Sequence, residues 1–310
     1  MSAQQVPGGP VPGEGVGAGP GEAAAVGAPR RGNETVYFAL RNPKLLAGAV
    51  VVAVLLVAAL AVPPFLGGSP NAYVGPQAQP PSAEFWFGTT NFGQDVFAQF
   101  VHGLRSTFLV GLLGGGIAAL VGMVVGFVAG YRGGLVDEVL NMITNIVLVL
   151  PAMVVLIIAA AYLEARGILV QSLFIGLTSW PWAARAIRAQ TLSLATRDFV
   201  DLARLSGRRA HAIIFREIAP NMSSYLFMTF ILLFGGAILI AAGLDFIGLG
   251  PPQGVSLGLM MHSAVSWSAL QLGMWWWFVP PGLGITAIVG SLYIMNVGLD
   301  EVFNPRLRET

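Results

Sequence analysis

Long apolar runs alternate with short charged or polar stretches along most of this chain. The hydrocarbon core of a bilayer is about 30 Å thick and takes about 20 consecutive, mostly apolar helical residues to cross. Six stretches of the sequence meet that length, over residues 45–66, 106–130, 139–163, 169–189, 221–244 and 274–298. The first is almost entirely Ala, Val and Leu, and Pro63 and Pro64 close it. The fourth is the most diluted, by Gln171, Thr178 and Ser179, with Trp180-Pro181-Trp182 interrupting it. Pro151, Pro181 and Pro280-Pro281 lie inside such runs. They point to kinked, packed helices, because neighbouring helices must satisfy the carbonyls that a proline leaves free. The pattern predicts an all-α, polytopic membrane protein with six transmembrane helices.

The connecting segments refine this picture. From Gly67 to Gly103 there is no Lys or Arg, and the second half interleaves Phe85, Trp86, Phe87, Phe92, Phe97 and Phe100 with polar residues. Val96, Phe97, Phe100, Val101 and Leu104 recur at helical spacing, which predicts an amphipathic helix lying in the outer interface before the second span. Trp275-Trp276-Trp277 reads as an aromatic anchor at the headgroups. The stretch from Thr196 to Asn221 is too polar to cross a bilayer, yet Phe199, Leu202 and Leu205 keep helical spacing. Gly207 stands where such a helix would stop or turn, and Pro220 stands where a missing amide hydrogen costs least, at the start of the next helix. A short helix, a turn and a re-entry helix are expected there.

Charge sets the orientation. With the amino terminus inside, 14 of the 16 basic residues fall on one face, and only Arg105 and Arg166 fall opposite. Cytoplasmic loops carry the excess of Lys and Arg, so both termini are expected in the cytoplasm, as in a bacterial inner-membrane protein. Composition agrees: 55% of residues are hydrophobic and 10% charged, against about 45–50% and 25% in soluble domains. A net charge of +1 gives no electrostatic basis for nucleic-acid binding, leaving lipid as the surrounding partner. The absence of cysteine excludes disulfides, thiolate metal sites and cysteine nucleophiles. Residues 1–29 hold eight glycines, five prolines and no aromatic residue, a composition that cannot bury enough apolar area to order itself.

The loop also carries a resemblance. Asp201, Leu202 and Ala203, then three residues, Gly207, nine residues, and Glu217-Ile218-Ala219-Pro220 resemble the cytoplasmic loop of binding-protein-dependent ABC importer permeases. That family's pattern is Glu-Ala-Ala, three residues, Gly, nine residues, Ile-x-Leu-Pro. The segment from Phe87 to Phe97 resembles Leu-Gly-Thr-Asp-x-x-Gly-Arg-Asp-Val of dipeptide, oligopeptide and nickel permeases, with Gln94 in place of the Arg. Gly130-Tyr131-Arg132-Gly133-Gly134 with Asp137-Glu138, Phe246-Ile247-Gly248-Leu249-Gly250 and Asn304-Pro305-Arg306-Leu307-Arg308 are similar to further stretches of the same family. Leu257-Gly258 departs from the Trp-Gly expected after Pro251-Pro252. The order as a whole is similar to the second, C-type permease of the pair.

The resemblance implies a type I ABC importer fold, with a tail over residues 1–44, a first helix over 45–66, an outer loop over 67–104, a permease core over 105–299 and a tail over 300–310. It implies a heterodimer with a second homologous permease, two ABC ATPases or one fused ATPase, and an extracytoplasmic binding protein. ATP and Mg would be bound by the ATPases, with no cofactor on this chain. Asp201, Leu202, Ala203, Arg204, Gly207 and Pro220 would form the ATPase-coupling loop. The implied cargo is a di- or oligopeptide, with nickel or haem-like cargo as the alternative.

Independent of any family, a phosphate-binding loop needs a lysine reaching the phosphates. Lys44, in Asn42-Pro43-Lys44-Leu45, is the only lysine and has no such context, so ATP use is expected on another chain. Asp245, near the outer end of the fifth span, is a candidate pathway residue, since intramembrane carboxylates are functional by default; a hydrated interfacial position is the plainer alternative. Arg185 and Arg188 read as snorkelling side chains, and the glycines of the second span as close helix packing. His102, His211 and His262 are single and unpaired, which gives no metal-ligand pattern. An ion-coupled secondary transporter would need several buried ionisable groups, and an intramembrane hydrolase a nucleophile with a base in the bilayer; neither pattern is visible.

Overall fold

The computed structural model describes residues 38–162, 167–252 and 254–303. The N-terminal tail to residue 37, the charges Glu164 and Arg166, and the terminal motif over 304–308 lie outside the described residues. The described chain is helical, with two isolated bridges, Tyr73 to Gln94 and Thr89 to Asp95. The helices that organise it are α1 (Pro43–Ala61), α2 (Val96–Arg132), α3 (Gly134–Val149), α4 (Ala152–Tyr162), α5 (Ile168–Ala195), α6 (Asp198–Leu205), α7 (Ser223–Phe246), α8 (Leu257–Ser266) and α9 (Trp275–Phe303).

Four of these, α1, α2, α7 and α9, are long and apolar enough to cross a membrane, and α3 with α4 makes a fifth only as a pair bent by 76°. That is short of the six expected. α5 has 28 residues, about 42 Å at ~1.5 Å per residue, but its polar side chains keep it less apolar than the others. They are used inside the protein: Ser172 Oγ donates to the Ile168 carbonyl at 2.7 Å, Thr178 Oγ1 donates to that of Phe174 at 2.9 Å, and Gln171 reaches Asp245. α5 thus keeps these polar side chains bonded within the protein while Leu169, Leu173 and Leu177 point outward.

The third expected span is broken at Pro151. Leu150 takes an extended conformation, φ −69° and ψ 126°, as steric clash with the proline ring requires of the preceding residue. Pro181 and Pro280-Pro281 are instead carried inside the continuous helices α5 and α9. The separate interfacial helix expected near 94–104 is the first part of α2. Its start is fixed by Asp95, whose Oδ1 accepts from the Phe97 N–H at 2.8 Å. Val96 and Leu104, on its apolar face, join the core formed with α8 and α9. The tryptophan anchor is likewise mostly internal: Trp276 and Trp277 are buried and Trp275 is exposed.

Glycine allows the close packing. A Cβ at Gly122 would lie 2.9 Å from the Ala183 Cβ, and Cβ atoms at Gly126 and Gly130 would lie 2.8 Å from the Ala184 and Arg188 carbonyl oxygens. These glycines recur every four residues, on one helix face, so the backbones of α2 and α5 meet along a shared, parallel seam. A second row faces α7 antiparallel, where a Cβ at Gly115 would come within 2.7 Å of the Phe234 Cα. α1 lies against α9, with Gly48 facing Met295 and Gly298 facing Leu45.

These directions bring the ends of α2, α5 and α9 and the start of α1 to one end of the bundle. There Lys44 pairs with Glu301, and Asn42 Nδ2 donates to Glu301 Oε2 at 2.9 Å. Arg188 makes a two-pronged bond to Asp137, 2.5 and 2.6 Å, joining α5 to α3. Arg185 donates to Asn145 Oδ1 at 2.6 Å. The two arginines expected to snorkel to lipid are therefore tied to α3. Among the described residues, Arg105 is the one basic side chain placed toward the opposite end.

Candidate functional site

The loop between α5 and α7 is built in three parts. α6 is strongly amphipathic: Val200 and Ala203 are buried, while Leu202 and Leu205 are 65% and 85% exposed. The buried pair packs into one core with Phe127 of α2, Ala183 and Ala184 of α5, and Ile213, Ile214 and Ile218 of the returning chain. The loop is thus seated on the bundle rather than hanging from it.

α6 stops at Gly207. The Gly207 N–H donates to the Arg204 carbonyl at 3.0 Å and the Arg208 N–H to that of Ala203 at 3.2 Å. This pair of reversed bonds satisfies the last helical carbonyls and needs a left-handed residue at the turn. Gly207 supplies it, with φ +72°. The chain returns through a helical turn (Ala210–Ile213) and a wider π turn (Ile214–Ile218) to a short helix (Ala219–Asn221) that contains Pro220. In the π turn the Ala219 N–H reaches back to the Ile214 carbonyl, and the Asn221 side-chain amide donates to the Glu217 carbonyl at 2.6 Å. Arg208 pairs with Glu217 and closes the loop on itself.

Asp201 and Arg204 pair with each other, Nη1 to Oδ1 at 2.9 Å. The Arg204 guanidinium also lies over the Tyr131 ring, 5.3 Å from its centre. Tyr131, ahead of Asp201, raises the pKa of this guanidinium above its ordinary value. Arg204 therefore connects α6 to the last turn of α2. Tyr131 was visible in the sequence only as part of Gly130-Tyr131-Arg132; its partner lies 73 positions away, beyond the reach of any local pattern. Beside this contact an apolar recess of about 470 Å³ is lined by Leu120, Phe127, Tyr131, Ile214 and Phe215.

Asp245 lies toward the other end and apart from the loop. It is 3% exposed. Gln171 Nε2 donates to its Oδ1 at 2.7 Å and Ser256 Oγ donates to its Oδ2. Ser256 also caps α8 by accepting from the Leu259 N–H at 3.1 Å, so the helix start and its favourable dipole face the carboxylate. A Cβ on Gly250 would sit 2.6 Å from Asp245 Oδ1, and one on Gly258 2.7 Å from Asp245 Cβ. In the described structure Asp245 is the knot joining α5, α7 and the start of α8. Gln171 and Ser256 carried no sequence signal beyond being polar near apolar runs.

Residues 122–309 match the family model of binding-protein-dependent transport system inner membrane components. The chain belongs to this family. The matched region includes the entire α6 loop, Asp245 and α9. A putative peptide transport system permease protein of Brucella abortus is 33% identical over 273 residues, covering 87% of this chain and 90% of that protein. A putative peptide permease protein of Brucella suis is 33% identical over 269 residues, 86% of this chain and 88% of its own. The oligopeptide transport system permease protein OppC of Mycobacterium bovis is 30% identical over 279 residues, 87% and 92% of the two chains. As a member of this permease family the protein is a multi-pass inner-membrane transport component.

Proposed function

We propose that this chain is one of two permease subunits of an ATP-driven, binding-protein-dependent importer of di- or oligopeptides. The observation that carries the reading is α6: two leucines face water on a helix whose other face is locked into the bundle. Exposed apolar side chains grouped on a polar loop mark a surface that another protein covers. On this reading the cover is an ABC ATPase, which binds ATP and Mg, and Asp201, Leu202, Ala203, Arg204, Gly207 and Pro220 shape the coupling contact. The second permease completes the pathway, and an extracytoplasmic binding protein delivers cargo. The peptide assignment is supported by the three relatives above.

The gathering of basic residues at the loop end supports a cytoplasmic location for that end and for both termini. It also supports six crossings, with α3 and α4 as a bent third and α5 as the fourth.

The chain has no cysteine, so Leu205→Cys gives it a single thiol to carry a photocrosslinker into the assembled complex. The expected result is a covalent link to the ATPase and loss of ATP-driven peptide uptake after illumination. An intact complex that transports peptide but never links at Leu205 would take α6 out of the coupling interface.

A further inference from the structure

At the end opposite α6 the outer segment and the start of α8 enclose a polar cavity of about 370 Å³. Its walls come from five parts of the chain: the segment holding Asn71 and Gln94, Gln99 on α2, the turn with Pro251 and Pro252, His262 and Trp267 at α8, and Trp277 on α9. We propose that this cavity is a binding site for an uncharged segment of a peptide, held by side-chain amides between aromatic walls. The proposal rests on the peptide-importer reading above and adds a place on this subunit where cargo is held.

The amides are set in advance. Gln99 is 6% exposed, and its Nε2 donates to Gln94 Oε1 at 2.9 Å, while Gln94 Nε2 donates to the Asn71 carbonyl at 3.0 Å. Each amide is oriented by the next, so binding does not require ordering them first. Trp277, 1% exposed, forms part of the wall, and its buried indole N–H has no hydrogen-bond partner among the described residues. Trp267 lines the cavity and is held edge-on by Phe92, ring centres 4.8 Å apart.

Charge narrows the ligand. No Asp, Glu, Lys or Arg is among the described wall residues. His262, another wall residue, faces the Phe246 carbonyl with its Nδ1 at 2.8 Å. That contact places the proton on Nδ1 and leaves Nε2 as an acceptor near Ser266 Oγ, 3.4 Å away. A charged terminus brought here would lose its water without gaining a counter-charge. Backbone amides and uncharged side chains would find donors and acceptors of matching kind. The volume falls at the low end of the ~300–1,000 Å³ typical of small-molecule sites, which suits part of a peptide chain.

The test uses the whole transporter in lipid nanodiscs without its binding protein. Ser263→Cys places the chain's only thiol in the cavity wall, and Ala83→Cys places one on the exposed outer segment as a control. The probe is a tri-alanine peptide acetylated at its N-terminus and amidated at its C-terminus. It is expected to slow maleimide labelling of Ser263→Cys at least fivefold and leave Ala83→Cys unchanged. Adding Gln99→Leu should remove the protection, with normal labelling at 263 showing that the cavity is still formed.

No protection at 263 by the capped peptide overturns the proposal. Equal protection by the uncapped, zwitterionic peptide or by a disaccharide overturns it as well. ATP-driven peptide uptake, measured with the binding protein present, is a separate readout. Uptake without protection removes the cavity site and leaves the importer reading standing. Protection without uptake keeps the site and removes that reading.

Discussion

Gly207 and Asp245 show how differently single residues act in this protein. At Gly207 nothing lies within 4 Å of an added Cβ, so space is free and the backbone alone is demanding. A φ of +72° costs an L-residue about 1–2 kcal/mol, and more for a β-branched one. Gly207→Val should leave insertion and folding of the bundle intact while rotating the end of α6. Peptide uptake should then fall at least tenfold at normal membrane levels of the protein, and Gly207→Asn, which tolerates left-handed backbone, should retain more of it. Unchanged uptake in the valine variant would separate this turn from coupling. At Asp245 the demand is for hydrogen bonding. Asp245→Leu would leave Gln171 and Ser256 buried without their acceptor, at about 1–3 kcal/mol for each unsatisfied group. Asp245→Asn keeps an acceptor oxygen and the shape. A clear fall in the thermal midpoint for the leucine variant, larger than for the asparagine variant, is expected in detergent; equal midpoints would mean that the knot contributes nothing.

At the scale of elements, α2 is held by glycine on two faces. Gly126→Leu places a branched side chain against the Ala184 carbonyl, where even a Cβ comes to 2.8 Å, so α2 and α5 must separate. Overpacking of this kind costs about 1–3 kcal/mol. Gly116 belongs to neither seam and has nothing within 4 Å of an added Cβ. Gly116→Leu in the isolated subunit should unfold at the same temperature as the parent, and Gly126→Leu several degrees lower. The helical spacing of the glycines was readable from the chain, because a four-residue interval places them on one face. Which helix each row meets was not, because that depends on how the bundle is assembled. α5 teaches the converse: its polar residues blurred it as a span, and the partner of one of them, Asp245 for Gln171, lies 74 positions away.

At the scale of the whole molecule, charge separates the two ends. Lys44 and Glu301, 257 positions apart, close the α1–α9 contact at the same end as the α6 loop. Thiol labelling of intact cells or oriented vesicles tests the membrane topology directly. Ala83→Cys should react with an impermeant maleimide from the outside, and Leu205→Cys only after the inner face is opened. Both reacting from one side would reverse or remove the proposed arrangement.

The apolar run lengths by themselves determined that this is a helical membrane protein, because a backbone in hydrocarbon must satisfy its own hydrogen bonds. Local chemistry also determined the stop at Gly207, since a left-handed turn depends on the residues that form it, and the break at Pro151, since the ring acts on its immediate neighbour. Tertiary structure alone decided the rest. It fused residues 96–104 into α2, carried Pro181 and Pro280-Pro281 inside unbroken helices, and buried two of the three tryptophans. It also turned Asp245 from a lone carboxylate into a junction, and it assembled the amide cavity from segments nearly two hundred residues apart. Each of these depends on which surfaces meet in space, and a side chain's burial and partners are properties of that meeting.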